Sequence, residues 1–130
     1  MGLAAIGLAA CDQQPDAPNN PGVCWRDVAA KDGKHRFEVI SSKVANLDSC
    51  AAQIEGLYLQ EHRDIAGAYQ SFFIFADYES VSSASSRKGF RYPIFLPGQR
   101  AVIDAGLMKL MKDNHGQAPK ANDLAIDKAP

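Results

Sequence analysis

The sequence predicts a small α+β domain, a two-layer sandwich in which an antiparallel or mixed sheet carries two helices mainly on one face. Two periodicities predict this class: short segments that alternate apolar and polar residues, and two longer segments with apolar residues three and four positions apart. With 130 residues, 46% of them hydrophobic and 22% charged, the chain suffices for one such domain. We assign the domain to residues 23–116 and expect a disordered tail over residues 117–130.

The first half of the domain predicts a hairpin followed by a helix. Strands over residues 24–28 and 35–40 flank an Asp-Gly turn signal. A helix over about residues 46–62 follows, with Asn46 or Asp48 as its N-cap. The apolar side chains that recur at helical spacing define its buried face: Leu47, Cys50, Ile54 and Leu57.

The second half predicts further strands and a closing helix. Gly67 marks a turn into residues 69–77, whose continuous apolar run is typical of a central strand covered on both faces. Residues 81–86 form an edge strand or a loop. Residues 90–96 alternate again, but a proline among them lacks the amide that an inner strand needs, which favours an edge. A helix over residues 97–113 completes the domain.

The run Leu8-Ala9-Ala10-Cys11 closes a short apolar stretch, and a polar, proline-rich segment follows it. This order resembles that of bacterial lipoprotein precursors, in which small residues precede the acylated cysteine and a flexible tether follows. The resemblance implies that residues 1–10 are a signal-peptide remnant, that Cys11 carries the lipid, palmitate included, and that residues 11–22 are the lipidated tether. No Lys or Arg precedes Cys11, so we expect a start codon upstream of Met1.

The same resemblance implies a location. The protein would lie in the bacterial cell envelope, anchored to a membrane through its lipid and facing the periplasm. Asp12, directly after Cys11, resembles the inner-membrane retention signal of some bacteria, so the inner membrane is favoured over the outer. The resemblance covers these residues alone and implies no activity.

The other two cysteines predict a disulfide. If Cys11 carries lipid, Cys24 and Cys50 remain as an even pair in an oxidising compartment, where disulfides persist. Cys50 belongs to the buried face of the predicted helix and Cys24 to the first strand, so a bridge would join helix to sheet. The alternative is two separate buried thiols.

Several function classes are not indicated by the sequence. A net charge of −1 is not that of a nucleic-acid-binding surface. The three histidines are far apart in sequence, so no pair has the spacing of a helical metal site: His35, His62 and His115. There is neither a Gly-rich phosphate loop nor a nucleophile elbow. We expect no metal and no cofactor.

One segment concentrates positive charge and aromatic rings, namely Arg87, Lys88, Phe90, Arg91 and Tyr92. Guanidinium groups bind carboxylates and phosphates through paired hydrogen bonds, so we expect this loop to contact a partner. Replacing its three cations should leave stability nearly unchanged, as for other surface substitutions. The alternative is a solvated turn whose aromatic rings face the core.

These observations favour a binding function over an enzymatic one. We expect a lipid-anchored envelope binding or accessory module, a subunit or assembly partner of a membrane or cell-wall-associated complex. Its partner would be an envelope protein or a cell-wall polymer. The alternative is a small periplasmic hydrolase that uses Glu55, Tyr58 and His62, which lie on adjoining turns of the first predicted helix.

Overall fold

The computed structural model describes residues 14–118, which form one six-stranded antiparallel sheet and two helices. The elements are β1 (Cys24–Ala29), β2 (His35–Ser41), α1 (Leu47–Glu61), β3 (Ile65–Tyr69), β4 (Phe72–Ala76), β5 (Val81–Ala84), β6 (Tyr92–Phe95) and α2 (Pro97–Asp113). The strand order is β2-β1-β3-β4-β5-β6, and every neighbouring pair is antiparallel. The predicted α+β class is confirmed.

Both helices contribute to the core on one face of the sheet. Gly67 of β3 lies directly beneath Ile54 of α1, and Leu107 of α2 belongs to the same buried cluster as Ile54. Side chains alternate between the two faces along each strand. The opposite face, which we call the open face, therefore carries Trp25, Asp27, His35, Phe37, Phe73 and Phe75.

The predicted disulfide is present and fastens α1 to the sheet. Cys24 of β1 and Cys50 of α1 are bonded, with their Cα atoms 5.3 Å apart, and both side chains are fully buried. The bridge closes a loop with a sequence separation of 26 residues. In the chain-entropy model a loop of this length destabilises the unfolded chain by roughly 3 to 3.5 kcal/mol.

The ends of α1 are fixed by side-chain and backbone contacts. Asn46, not Asp48, is the N-cap, since its side chain accepts a 2.8 Å hydrogen bond from the amide of Ser49. At the other end His62 adopts the left-handed conformation with a φ of 58°. Glu61 accepts two hydrogen bonds, of 2.6 and 2.7 Å, from Arg26 of β1. The helix is thus tied to the sheet at its end as well as at its disulfide.

The predicted central strand over residues 69–77 is wrong in its boundaries. The chain forms two strands here, β3 and β4, joined by Gln70 and Ser71, whose φ angles of 43° and 74° are positive. Gly67, predicted to mark a turn, lies in the middle of β3. The physical reason is close packing, because Gly67 is where Ile54 of α1 approaches the sheet.

The last two strands differ in how well the sequence predicted them. β5 pairs with both β4 and β6, so it is an inner strand rather than an edge or a loop. β6 lies at the edge of the sheet, as its Pro93 predicted.

Residues 14–22, assigned above to a flexible tether, are held against the sheet. The carbonyl of Pro18 accepts a 2.9 Å hydrogen bond from the amide of Ser71, and the amide of Gly22 donates to the side chain of Gln70 at 2.8 Å. The tether therefore does not extend over this segment. Cys11 and residues 119–130 of the predicted tail lie outside the described residues.

The packing beneath α1 gives a test with a matched control. A Cβ at Gly67 would come within 2.4 Å of both the Trp25 carbonyl oxygen and Ile54 Cδ1. We expect Gly67→Ala to lower the free energy of unfolding by about 1 to 3 kcal/mol. Gly106→Ala, in α2 with no atom within 4 Å of its added Cβ, should instead raise it by about 0.5 to 1 kcal/mol. Urea denaturation measures both values, and a Gly67→Ala variant as stable as the unsubstituted chain would contradict this packing.

Candidate functional site

The loop between β5 and β6, residues 85–91, contains an arginine, Arg87, that reaches across the open face. The guanidinium of Arg87 forms an ion pair with one carboxylate oxygen of Asp27. The other oxygen of Asp27 lies 2.8 Å from Nδ1 of His35. Only 1% of the Asp27 side chain is exposed. Burying a charge without partners costs several kcal/mol of stability. The contacts with Arg87 and His35 compensate this cost for the Asp27 carboxylate.

Aromatic rings support the same guanidinium. Its central carbon lies 4.7 Å from the ring centre of Phe73 and 5.7 Å from that of Phe37. A second nitrogen of Arg87 donates to the carbonyl of Pro15 at 3.1 Å. Arg87 therefore covers the open face and connects the loop to β1, β2, β4 and the segment before β1.

Arg91 makes a parallel pair of contacts at the far end of the loop. Its guanidinium carbon lies 3.9 Å from the ring centre of Phe75, and it approaches Asp77 at 3.4 Å. Arg91 thus binds the sheet as Arg87 does, through a carboxylate and aromatic stacking, but it contacts one ring where Arg87 contacts two. The expectation that all three cations of the loop can be lost without affecting stability must be corrected for Arg87, because its loss leaves Asp27 buried with His35 as its only side-chain partner among the described residues.

The remaining predicted residues, two in the loop and Tyr92 at the start of β6, point outward. Phe90 is 75% exposed and Tyr92 is 63% exposed, and Lys88 between the two arginines is exposed as well. The rings of Phe90 and Tyr92 contact each other, with their centres 4.8 Å apart. The alternative in which these rings face the core does not hold. The structure divides the predicted set into two arginines that bind the sheet and three side chains that form what we call the loop surface: Lys88, Phe90 and Tyr92.

A second cluster of polar groups lies between the two helices. Glu55 of α1 is fully buried, and its two carboxylate oxygens accept hydrogen bonds of 2.6 and 2.9 Å from Arg100 of α2. Asp104, one turn further along α2, lies 4.0 Å from the same guanidinium. The ring of Tyr58 lies beside it, 5.2 Å from the guanidinium carbon. This cluster fastens α2 to α1.

The environment of Glu55 favours its neutral form. Burial is the largest effect and raises the pKa of Glu55, the hydrogen bonds from Arg100 lower it, and the neighbouring Asp104 carboxylate raises it again. The resulting pKa is about 7, against an ordinary value of 4.5. A carboxyl group with such a pKa is a candidate for acid-base chemistry only if a substrate can reach it.

The three residues of the hydrolase alternative do not converge. Glu55 is enclosed, with both oxygens bound to Arg100. His62 lines a cavity of about 670 Å³ together with Met108 and Met111. Arg100 and Asp104 line a different cavity, of about 560 Å³, and only Tyr58 of the three predicted residues borders both. Glu55 and His62 therefore do not face a common space.

Sequence reasoning missed the partners of these charges. Glu55 follows Ala51 by four residues and precedes Tyr58 by three, which places it on the apolar stripe of α1 and could have predicted its burial. Asp27 shares a face with Trp25 in the alternation of β1, a weaker signal. Neither pattern identifies Arg100 or Arg87 as the partner.

Residues 14–118 contain no group of three His, Cys, Asp or Glu side chains arranged to hold a metal ion. No helix within this range has the length and apolar character needed to cross a bilayer. Comparison of the chain with protein-family models, curated proteins and solved structures finds no match.

The pKa of Glu55 predicts a pH dependence of stability. Because this pKa is about 7 in the folded protein and near 4.5 in the unfolded chain, the folded state retains a proton that the unfolded state has released between these values. The stability contributed by the neutral carboxyl is full below about pH 4.5 and is lost as the pH rises through about 7. We expect the free energy of unfolding of the unsubstituted chain, minus that of Glu55→Gln, to decrease over this range in urea denaturation. A difference that increases with pH would show instead that Glu55 is ionised beside Arg100 in the folded protein and that the pKa of Glu55 is lowered.

Proposed function

We propose that this protein is a non-enzymatic, lipid-anchored binding module of the bacterial cell envelope, which faces the periplasm as a subunit or assembly partner of a larger complex. Its partner is an envelope protein, with a cell-wall polymer as the alternative. The inner membrane is the favoured location. Anchoring through Cys11 rests on the resemblance of residues 8–11 to lipoprotein precursors.

The observation that supports the binding function is that the segment from Arg87 to Tyr92 contains two kinds of side chain, arginines that contact the sheet and aromatic rings that are exposed. Two arginines hold the loop on the sheet, each through one carboxylate and at least one aromatic ring. Between and beside them, Phe90 and Tyr92 remain largely exposed. Large exposed rings on a supported loop are typical of binding surfaces, because little side-chain and backbone entropy remains to be lost on association.

The chemistry of the loop surface favours an acidic partner. Lys88 supplies an ammonium group free of the carboxylates that hold Arg87 and Arg91, and the rings of Phe90 and Tyr92 supply apolar contact area. A partner segment that combines carboxylates with apolar side chains matches both. The contribution of Lys88 would be screened by salt over about 8 to 10 Å.

The disulfide is consistent with this placement. Bridges such as Cys24–Cys50 persist in oxidising compartments, of which the bacterial periplasm is one. The hydrolase alternative receives less support, because Glu55 is enclosed and His62 lines a separate cavity from Arg100.

Capture of partners from detergent-extracted membranes tests the binding function. The tagged native chain is compared with the variant Lys88→Ala, Phe90→Ala, Tyr92→Ala. We expect the variant to lose at least about tenfold in recovered partner, because truncation of a hot-spot residue, a class enriched in aromatic side chains, costs about 2 kcal/mol or more. Both proteins should keep the same melting temperature.

A matched control replaces one exposed lysine, one exposed aromatic and one exposed aliphatic residue elsewhere: Lys31→Ala, Tyr78→Ala and Val102→Ala. This control should capture the same partners as the native chain. If the loop-surface variant does so too, with unchanged salt dependence, the proposed function is overturned. Mass spectrometry of the extracted protein tests the anchor separately, since an unmodified thiol at Cys11 in the native host would exclude lipidation.

A further inference from the structure

The outer edge of β2 is an unpaired strand edge. β2 is the first strand in the sheet order and pairs with β1 alone among residues 14–118. It spans seven residues, whereas β6 at the other edge spans four and contains Pro93. An edge strand presents unpaired amide and carbonyl groups that can pair with another strand.

The hairpin geometry shows which backbone groups point outward. The amide of Ala30 donates to the carbonyl of Lys34 at 2.8 Å, so these two residues form a hydrogen-bonded position of the hairpin. In an antiparallel pair, hydrogen-bonded positions alternate with non-bonded ones. Arg36 and Glu38 therefore bond to β1, and the three residues between and beside them direct their backbone groups to the free edge: His35, Phe37 and Val39.

The regular part of this edge is symmetric about Phe37. Trp25 lies opposite Val39 and Cys24 lies opposite Ser41, so Ile40 is an extra residue that interrupts the ladder. The uninterrupted segment is thus residues 35–39, with Phe37 at its centre. A two-fold axis through Phe37 would place the same five residues of a second copy opposite these.

The charges select this register. With the axis at Phe37, Arg36 lies opposite Glu38 of the second copy, and the reverse pair forms on the other side of the axis. Moving the axis to Arg36 or to Glu38 would oppose two like charges, which destabilises an antiparallel pair. Arg36 and Glu38 are both exposed and form an ion pair of 2.9 Å with each other in the single chain, which the reciprocal pairs with a second copy on the same face would replace.

The backbone and apolar groups agree with the same register. Phe37 lies opposite Phe37, and His35 lies opposite Val39, so each opposing pair consists of residues whose backbone groups point outward and can exchange two hydrogen bonds. Val39 is 57% exposed in the single chain and would be covered. Because the paired residues share a face, the helices of both copies lie on one side of a continuous sheet.

We propose that the edge of β2 is a self-association surface through which two copies of this chain pair antiparallel, with the two-fold axis at Phe37 and reciprocal ion pairs between Arg36 and Glu38. This dimer is independent of the loop surface and of the partner proposed for it. It joins the two molecules by backbone pairing at the sheet edge, and the ion pairs set the register.

Sedimentation equilibrium of full-length chains tests the dimer. Every protein carries Cys11→Ser, so that this thiol cannot cross-link copies. We expect the parent chain to dimerise and each charge reversal, Arg36→Glu or Glu38→Arg, to raise its dissociation constant at least about tenfold by placing like charges in opposition. Lys109→Glu, an exposed charge reversal on α2, is the matched control and should dimerise as the parent does.

A mixture of the two single variants is the decisive sample. In the proposed register every opposing pair between Arg36→Glu and Glu38→Arg is again of opposite charge, so an equimolar mixture should form heterodimers although each variant alone stays monomeric. Circular dichroism checks that each variant remains folded. A parent chain that is monomeric up to millimolar concentration, single variants that dimerise as the parent does, or a mixture that stays monomeric would each overturn the proposal.

Discussion

The ion pair between Asp27 and Arg87 is the interaction on which the open face depends. The Asp27 side chain is 1% exposed, and burying a carboxylate is tolerated only when charge and hydrogen bonds compensate it. Both helices of residues 14–118 contribute to the core on the opposite face of the sheet and therefore do not cover Phe37 and Phe73. Arg87 serves both needs at once, because its guanidinium neutralises Asp27 while lying over these rings.

This arrangement links stability to presentation of the loop surface. The residues next to Arg87 in sequence cannot leave the sheet without breaking a buried ion pair, and Arg91 restrains the other end of the loop over Phe75. Phe90 and Tyr92 are therefore exposed on a restrained backbone. Exposure of large rings has no structural benefit for the isolated domain, which is why recognition of a partner is the function that this geometry favours.

The elements that the sequence predicted well are those in which a local pattern and the tertiary structure agree. The apolar stripe of α1 includes Cys50 and Ile54, which are fully buried, and the presence of Cys50 on that stripe led to the disulfide with Cys24. The hairpin of β1 and β2 followed from its turn signal and alternation. In each case the signal lies within a few residues of sequence.

The elements that it predicted poorly depend on contacts between distant residues. Gly67 lies in the middle of β3 because Ile54 of α1 packs closely against the sheet there, and the following turn lacks the glycine that would have marked it. Arg87 is separated from Asp27 by 60 residues, so local composition suggested a solvated cation where the fold has a buried ion pair. For Glu55, its position on the apolar stripe of α1 could have predicted its burial. No local pattern, however, identifies Arg100 as its partner.

Backbone ¹⁵N relaxation of the β5–β6 loop in the native chain and in Arg87→Lys tests the central claim most directly. Lysine keeps the positive charge near Asp27 but lacks the planar fork and its stacking on Phe73. We expect order parameters of about 0.85 for residues 88–90 in the native chain and below about 0.6 in the variant, with Ile74 of β4 unchanged in both. A native loop that is already flexible, or a variant loop that stays rigid, would contradict the dependence of the loop surface on this ion pair.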